Sequence, residues 1–387
     1  MDTNALLASA HGAPGQQLGS GLSLDTELGP DADVELEPAR APGAAAERFA
    51  TAALASRTWE AYRSDWQRFE AWAAERGTTA LPADPATVAD YLAAAADLHE
   101  GDRPVYSAAT ISRWCSAINA VHRMAGHSPV GQHPTVTVVL AGIRRTVRRA
   151  RPTARKAPLL LGDLLTLLDA LPARWPGAVA ATRDRALLLA GFAGAFRRSE
   201  LAALTVADLT WHRDDGLHVV VRHAKNDQDA HGQVKALPTG SSPTTCPVCA
   251  MVHWLRLLAA PDRTTAMRAA IAAARADAHA CRTGLPELEG TRAVFPVLNR
   301  HGGIGERPLT GHGINRVVKD RAAAAGLAPE RLGAHSLRAG FVTQATRSGA
   351  SMLEIMRQTG HRDPASVEGY VREHDPLQGN AVTRLGL

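Results

Sequence analysis

Apolar residues between positions 51 and 150 recur at the spacing of amphipathic helices. The first run begins at Ser56 and puts five residues on one helical face: Trp59, Tyr62, Trp66, Phe69 and Ala73. Because this period is that of a buried helix face, we interpret the aromatic stripe as core packing and not as a base-stacking platform. Further helices are predicted over residues 87–96, from about 107 and over 135–150, which together make a small all-helical domain over residues 51–150.

The pattern after residue 158 predicts a second, larger domain. Helical spacing is found over residues 161–171 and 181–196 and again from Ser199. Residues 219–221 and 234–237 are short apolar runs typical of paired strands, with a loop between them at 226–232. The predicted fold class is therefore mainly α, with an N-terminal helical domain and a mostly α-helical second domain, over residues 159–387, that contains a small antiparallel β-sheet.

Two stretches outside the domains differ from them in composition. Residues 1–50 are rich in glycine, alanine, proline and acidic residues and have no sustained apolar period, so we predict a disordered acidic arm. Residues 151–158 are basic and contain two prolines, as in an exposed linker. Residues 1–40 hold seven acidic residues and one basic residue, so the rest of the chain is more basic than the net charge of +5 indicates. A basic body favours a polyanion as the partner.

Three observations narrow the class of protein. No apolar run approaches the roughly 20 residues that span a bilayer, so we do not expect this chain to be a membrane protein. The first residues lack a basic segment followed by an apolar one, so no secretory signal is expected. Four cysteines in 387 residues are too few for a disulfide framework and fit a reducing compartment, which predicts a cytoplasmic location.

Four separated segments hold residues that suit phosphate chemistry. They are residues 195–201 (AFRRSEL), 222–225 (RHAK), 335–338 (HSLR) and 359–361 (TGH), the last followed nine residues later by Tyr370. These residue types are a poor set for metal-dependent hydrolysis, but they suit a phosphate that develops negative charge. A guanidinium grips two phosphate oxygens at once, and the spacing of His335 and Arg338 puts both on one helical face. The tyrosine oxygen can form a phosphodiester reversibly.

In this order the residues resemble the tyrosine recombinase and phage integrase family, whose pattern is arginine, a hairpin lysine, His-x-x-Arg, histidine or tryptophan, and tyrosine. Residues 335–340, 353–356 and 370–372 most resemble the Cre-like members, and similarity extends over nearly everything after about residue 50. The resemblance implies the tyrosine recombinase fold, with a SAM-like core-binding domain over residues 51–150 and a catalytic domain over 159–387. It further implies a site-specific DNA recombinase that needs no cofactor, neither metal nor ATP.

The resemblance also implies a role for each matched residue. Arg197 and Arg338 would clamp the scissile phosphate, and His335 and His361 would donate hydrogen bonds to it. Glu200 would support this arrangement. Cre-like members carry tryptophan at the position of His361, whereas histidine is common there in the wider family.

Two further implied roles concern the bonds that form and break. Tyr370 would attack the phosphate and leave a 3′-phosphotyrosyl link, and Lys225 would protonate the departing 5′ oxygen. Lys235 is the alternative general acid because it lies near the same predicted hairpin. Arg198 is the alternative for Arg197, although the Ser-Glu-Leu that follows favours Arg197.

By the same resemblance, the partner is a double-stranded DNA recombination site, bound by a homodimer, with a homotetramer when two sites are paired. The helix predicted over residues 310–323 would enter the major groove. Two sets of residues are candidate DNA contacts: His312, Asn315, Arg316 and Lys319 on that helix, and the basic cluster Arg144, Arg145, Arg148, Arg149, Arg151, Arg155 and Lys156. The tail over residues 376–387, with Val382 and Leu385, is either a helix that docks into a neighbouring protomer or a frayed terminus.

Three alternatives stay open on the sequence alone. A type IB topoisomerase uses similar residues and the same tyrosyl chemistry, and a DNA-binding protein of this fold can exist without catalysis. Cys246 and Cys249 have the start of a zinc-site spacing, with His253 and Cys281 as further donors. The competing interpretation is a helix that begins at Pro247, and on that interpretation we predict no metal.

Overall fold

The computed structural model describes residues 56–151, 156–222, 232–374 and 381–385. The predicted acidic arm, Arg155 and Lys225 lie outside the described residues. The chain divides into two compact units at the boundary between residues 154 and 155. None of the described helices is both long and apolar enough to cross a membrane.

The first unit is helical, as predicted. Its helices are α1 (Ser56–Glu75), α2 (Pro85–Ala96), α3 (Ala108–Met124) and α4 (Pro134–Ala150), and a two-residue hairpin, β1 (His99–Glu100) and β2 (Arg103–Pro104), joins α2 to α3. Polar side chains fix the helix starts: Asp84 accepts a hydrogen bond from the backbone N–H of Ala86, and Ser107 accepts one from Thr110. The stripe of α1 is buried in this unit except for Tyr62, which is half-buried, and Phe69 is fully inaccessible.

The second unit is mostly helical and contains short antiparallel sheets. Its elements are α5 (Leu161–Asp169), α6 (Gly177–Ala193), α7 (Arg198–Ala203), β3 (Leu209–His212), β4 (Gly216–Val221), β5 (Gln233–Leu237), α8 (Pro247–Leu258), α9 (Arg263–Ala274), β6 (Pro296–Leu298), β7 (Ile304–Pro308), α10 (Gly311–Ala324), α11 (Ala334–Arg347), α12 (Met352–Thr359) and α13 (Pro364–His374). The mainly α fold class with a small antiparallel sheet is therefore confirmed. The sheet has the order β3-β4-β5, and β6 pairs with β7. Strand β3 and the hairpin β6–β7 were not predicted.

Helix α6 is the centre of the second unit. It is apolar on nearly every face and packs against α8, α9 and α11. Gly340 lets α11 lie close to the backbone of Leu159, just before α5, since a Cβ atom at position 340 would collide with the carbonyl of Leu159. Asp184 on α6 is 1% exposed and takes salt bridges of 2.7 Å from Arg183 and from Arg321 on α10. Helix α11, which carries His335 and Arg338, is thus fixed to one buried element.

Candidate active site

The turn from α6 into α7 places Arg197. Ala195 in this turn has a φ of +46°, a left-handed conformation that is costly for a residue with a side chain. Glu200 then accepts hydrogen bonds from the backbone N–H of Arg197, at 2.9 Å, and from its Nη1, at 2.6 Å. Glu200 is 3% exposed, whereas the neighbouring Arg198 is exposed and lies against the start of α10. The buried carboxylate therefore fixes both the backbone and the guanidinium of Arg197.

Arg338 lies one turn after His335 on α11 and is 2% exposed. Its Nη1 donates to the carbonyl of Ala195, at 2.6 Å, and to that of Thr359, at 2.7 Å. Its Nη2 lies 2.9 Å from Nε2 of His361. Burial, with a smaller contribution from the charge of Arg197, lowers the pKa of Arg338 to about 10. The side chain stays charged at neutral pH and joins the α6–α7 turn to the end of α12.

His361 is held in a neutral form. Thr359 Oγ1 donates to the carbonyl of Ile355 at 2.7 Å, so it accepts from Nδ1 of His361 at 2.9 Å. This leaves Nε2 as an acceptor for Arg338. Burial, followed by the charge of Arg338, lowers the pKa of His361 to about 4. In this arrangement both ring nitrogens are engaged within the protein, so the N–H that we expected to reach a phosphate is not presented.

Tyr370 meets His335. The Oη atom of Tyr370 lies 2.8 Å from Nε2 of His335, and the ring of His361 lies 6.0 Å from that of Tyr370. Tyr370 packs on a small buried cluster that includes Val342 and Ile355. Partial burial and then the charges of the nearby arginines lower the pKa of His335. A neutral imidazole has one ring nitrogen without a proton, and in the tautomer that leaves Nε2 unprotonated this atom can accept the proton of the phenol.

Lys235, which the sequence offered only as the alternative to Lys225, lies buried within the site. It lies on β5, is fully inaccessible, and its Nζ donates to the carbonyls of Gly194 and Gln358, each at 2.9 Å. Glu200 lies 3.9 Å away. Burial lowers the pKa of Lys235 to about 7, although the charge of Glu200 opposes this. The two-residue period of a strand could have predicted this burial, because Lys235 lies on the same strand face as the buried Leu237.

The amide of Gln358 makes a parallel connection. Its Nε2 donates to the carbonyl of Ala193, at 2.8 Å, and to that of Ala236, at 2.9 Å. The last turn of α12, the end of α6 and β5 are therefore joined by side chains that all hydrogen-bond to backbone carbonyls. Lys225 follows β4 in the sequence and lies outside the described residues, but β5 resumes at Gln233, which donates to the carbonyl of Arg357 at 3.0 Å.

The predicted catalytic residues within the described ranges come together. Arg197, Glu200, Arg338 and His361 are linked by the contacts above, and His335 joins them to Tyr370. The carboxylate of this group, Glu200, is engaged by Arg197, and the metal-ligand cluster found in the described part of the chain lies elsewhere. The site therefore concentrates positive charge around one buried acid, which suits a bound anion.

The residues predicted to contact DNA differ in how exposed their side chains are. Helix α4 buries Ile143 and Val147 and leaves its arginines on the exposed side, namely Arg144, Arg145, Arg148 and Arg149, and Arg151 just after the helix is half-buried. Lys156 already belongs to the second unit, is half-buried and donates to the carbonyl of Glu330 in the same unit.

Helix α10 divides its four candidates. His312 and Arg316 are exposed, Lys319 is half-buried, and Arg316 lies 3.6 Å from Asp320. Asn315 instead accepts a hydrogen bond from the backbone N–H of Ala334 at 3.0 Å. This contact satisfies an otherwise unpaired donor at the start of α11, and base reading by Asn315 stays a prediction.

Comparison with known proteins agrees with the geometry. The profile of the phage integrase N-terminal SAM-like domain matches residues 49–128. The chain is 31% identical over 343 residues to an integrase/recombinase xerD homolog of Selenomonas ruminantium, covering 88% of each chain. It is 25% identical over 316 residues to the tyrosine recombinase XerD of Chlorobaculum tepidum, covering 81% of this chain and 84% of the relative.

Among solved structures, the XerH site-specific recombinase bound to a palindromic difH substrate is similar at 16% identity and a TM-score of 0.46, with 78% of this chain and 72% of that chain covered. The family assignment depends instead on the Selenomonas relative, which is matched along nearly its whole length. A match of 343 residues is longer than either unit, so it includes parts of both. The chain belongs to the tyrosine recombinase family.

Proposed function

We propose that this protein is a site-specific DNA recombinase that cuts and rejoins DNA strands through a 3′-phosphotyrosyl intermediate. The observation that carries the proposal is the hydrogen bond of 2.8 Å between Tyr370 Oη and His335 Nε2, next to the buried Arg338. A nucleophile (Tyr370), a proton acceptor (His335) and a cationic side chain that can bind a phosphate (Arg338) therefore lie side by side. Three such groups in one site are what strand transfer to a side chain requires.

The proposed step conserves bonds and protons. Tyr370 Oη forms a bond to phosphorus while the bond from phosphorus to the 5′ oxygen breaks. The phenol proton passes to Nε2 of His335, and the 5′ oxygen receives a proton from Lys225. Arg197 and Arg338 neutralise the nonbridging oxygens. Because the new link is itself a phosphodiester, attack by a 5′ hydroxyl reverses the step, so the strand chemistry requires neither ATP nor a metal ion.

His361 has a role that depends on the phosphate. Without DNA it accepts from Arg338, with a pKa of about 4. A bound phosphate adds negative charge, which raises the pKa of His361 and attracts the guanidinium of Arg338. We therefore propose that Nε2 gains a proton and turns to the phosphate when DNA binds, so that His361 first positions Arg338 and then assists it.

The proposed partner is a double-stranded recombination site, bound by two copies of the chain, with four copies in the paired complex. The exposed arginines of α4 and the exposed residues of α10 are the surfaces offered to DNA. Of the predicted C-terminal docking segment, residues 381–385 are described, and Val382 and Leu385 are exposed, which suits an apolar contact with a neighbouring copy. We further propose a cytoplasmic, nucleoid-associated protein. The finer resemblance to Cre-like members stays a prediction, since the relatives found are described as XerD-like.

Covalent trapping tests the proposal even though the target sequence is unknown. The probe is a pool of duplexes with a randomised centre and staggered nicks, so that cleavage releases a short fragment and religation fails. After denaturation, strands that stay attached to protein are recovered and sequenced. With native protein, the recovered strands should be enriched in a defined sequence. Tyr370→Phe should bind the enriched duplex, but no strands should be recovered attached to it. If both proteins bind that duplex and neither forms an adduct, the chain is a binding protein and the proposal is wrong.

The same enriched sequence separates recombination from topoisomerase activity. Two labelled duplexes that carry this sequence should exchange strands and give a recombinant product. The mass of the complex that forms on them should correspond to four protein chains and two duplexes. Relaxation of supercoiled plasmid without exchange between labelled duplexes would identify a type IB topoisomerase instead.

A further inference from the structure

We propose that the second unit holds a structural zinc ion bound by Cys246, Cys249, His279 and Cys281. The ligand atoms of these four residues lie within 4.8 Å of one another. Nδ1 of His279 is 3.4 Å from Sγ of Cys249 and 3.5 Å from Sγ of Cys281. A tetrahedral zinc ion with Zn–S distances of about 2.3 Å and a Zn–N distance of about 2.0 Å separates nitrogen and sulfur ligands by roughly 3.5 Å. The histidine nitrogen is already at that separation from two of the three sulfur atoms.

The surroundings orient the histidine for this role. Its Nε2 lies 3.4 Å from the carbonyl of Ser241, a long hydrogen bond in which the ring nitrogen is the donor because a carbonyl only accepts. That tautomer leaves a lone pair on Nδ1, which faces the three sulfur atoms. A carbonyl that holds the distal ring nitrogen is the usual support for a metal-bound histidine.

The three cysteines are buried, and backbone donors surround the sulfur atom of Cys246. Cys246, Cys249 and Cys281 are all 3% exposed or less. Backbone N–H groups approach Sγ of Cys246, from Gly240 at 3.2 Å and from Cys249 at 3.4 Å. Amide donors of this kind stabilise negative sulfur, which a metal ion further compensates. Three converging thiols with a histidine also differ from a redox pair, since a disulfide between two of them would leave the third thiol and His279 without a function.

Sequence spacing indicates only part of this site and points to the wrong histidine. Cys246-Pro-Val-Cys249 and His279-Ala-Cys281 together supply the two ligand pairs. The candidate histidine, His253, lies within α8, outside the cluster, and lines a small cavity beside Arg185 and Ala250. A gap of 29 residues between Cys249 and His279 separates the pairs in the chain, so the fold was needed to join them.

A zinc ion here would support an irregular part of the catalytic unit. Between α9 and β6 the described chain has no helix or strand longer than a single bridge, and Ala270 is the residue of α9 that is buried. The cluster joins this segment to the start of α8, and Trp211 on β3 donates to the carbonyl of Cys281 at 2.8 Å. Four protein ligands leave no open position, which is typical of a structural site and not of a catalytic one. This inference does not depend on the proposed function.

Metal analysis of the full-length protein tests it. Protein purified under reducing conditions without chelator should contain about one zinc per chain, as four-ligand sites do. Replacement by Co²⁺ should give the visible absorption of a tetrahedral ion and a sulfur-to-cobalt charge-transfer band. Cys281→Ser and His279→Ala should lose most of the zinc, whereas His253→Ala and Cys115→Ser should retain it.

Two results on native protein alone would overturn the proposal, so it stays testable even if the ligand variants fail to fold. The first is protein that takes up neither Zn²⁺ nor Co²⁺ with sulfur coordination. The second is a Cys246–Cys249 disulfide, found by mass spectrometry of protein handled without oxygen. Conversely, a chelator that removes the metal should lower the unfolding temperature of native protein and leave that of a metal-free ligand variant unchanged.

Discussion

The phenol of Tyr370, on α13, is hydrogen-bonded to the imidazole of His335 at the start of α11, with 2.8 Å between Oη and Nε2. The two helices are fixed against each other by the buried cluster of Val342, Ile355 and Val367. Because the pKa of His335 is lowered, its neutral form, the form that accepts a proton, predominates at neutral pH. The proton acceptor for the proposed attack is therefore in place before DNA binds.

Replacing His335 should change the pH dependence of cleavage as well as its rate. His335→Gln should slow adduct formation by about 10²–10⁴-fold, the usual contribution of a general base. With subsaturating DNA, native cleavage should stay level down to about pH 6.5 and fall below it, since the neutral imidazole is lost only as pH falls through a pKa below the ordinary value. The variant should instead speed up continuously as pH rises and the phenol ionises. Parallel pH profiles for the two proteins would rule out His335 as the acceptor.

Sulfur substitution at the leaving oxygen should distinguish Lys225 from Lys235. A thiol leaves as the thiolate because its pKa is only about 8.5, so cleavage of a 5′-bridging phosphorothiolate needs no general acid. Lys225→Ala should fail on ordinary DNA and recover on this substrate. Lys235→Met should be impaired on both substrates, because Lys235 donates to the carbonyls of Gly194 and Gln358 and positions the site. If the phosphorothiolate substrate restores cleavage by Lys235→Met and not by Lys225→Ala, Lys235 is the general acid and Lys225 is not.

Sequence pattern predicted the four helices of the first unit because each buries an apolar face, but it did not predict the hairpin β1–β2. The helix starts were predictable too, since Asp84 and Ser107 precede helical periods. Strand β3 was missed because it has four residues and only Leu209 is buried. Hairpin β6–β7 contains a proline at each end and an irregular register, so it lacks strand alternation.

The candidate site was predictable in its residue types and much less in its contacts. Motif order identified Arg197, His335, Arg338 and Tyr370 as candidates, but it gave no account of what engages each before DNA binds. The engagement of Arg338 by the carbonyls of Ala195 and Thr359 depends on tertiary structure. So does the capping of α11 by Asn315, which a helical face alone presents as a polar residue available to DNA.

Burial of Lys235 should make stability increase with pH. Its pKa is about 7 in the folded protein and near 10.5 when unfolded, so the unfolded chain binds more protons between these values. The free energy of unfolding of the second unit should therefore rise from pH 7 towards pH 10, with a slope of up to about 1.4 kcal/mol per pH unit from this group. Denaturant unfolding of native protein and Lys235→Met, measured at several pH values, should show this slope in the native protein only. Equal slopes would mean that Lys235 titrates normally.

Loss of Glu200 should uncouple Arg197 from the α6–α7 turn. Glu200→Gln keeps the shape but removes the negative charge that faces Arg197 at 2.6 Å and Lys235 at 3.9 Å. Breaking a buried ion pair from one side costs about 3–5 kcal/mol, so a clear fall in the unfolding midpoint is expected. Adduct formation should fall with it, and DNA affinity should change little, since the arginines of α4 are untouched. A variant with native stability would show that neither Arg197 nor Lys235 needs Glu200 as a counter-charge.

The exposed arginines of α4 should contribute affinity without sequence preference. Each contact with a DNA phosphate changes the slope of log affinity against log salt concentration by about 0.9. Replacing Arg145 and Arg149, which are both exposed, should lower that slope by up to about two and weaken binding to all duplexes equally. Arg316→Ala on α10 should instead alter the preferred sequence, and Asn315→Ala should lower stability with the preference intact, because Asn315 caps α11. If Asn315→Ala relaxes the sequence preference and leaves stability unchanged, the amide reads a base when DNA binds and its contact with Ala334 is broken in the complex.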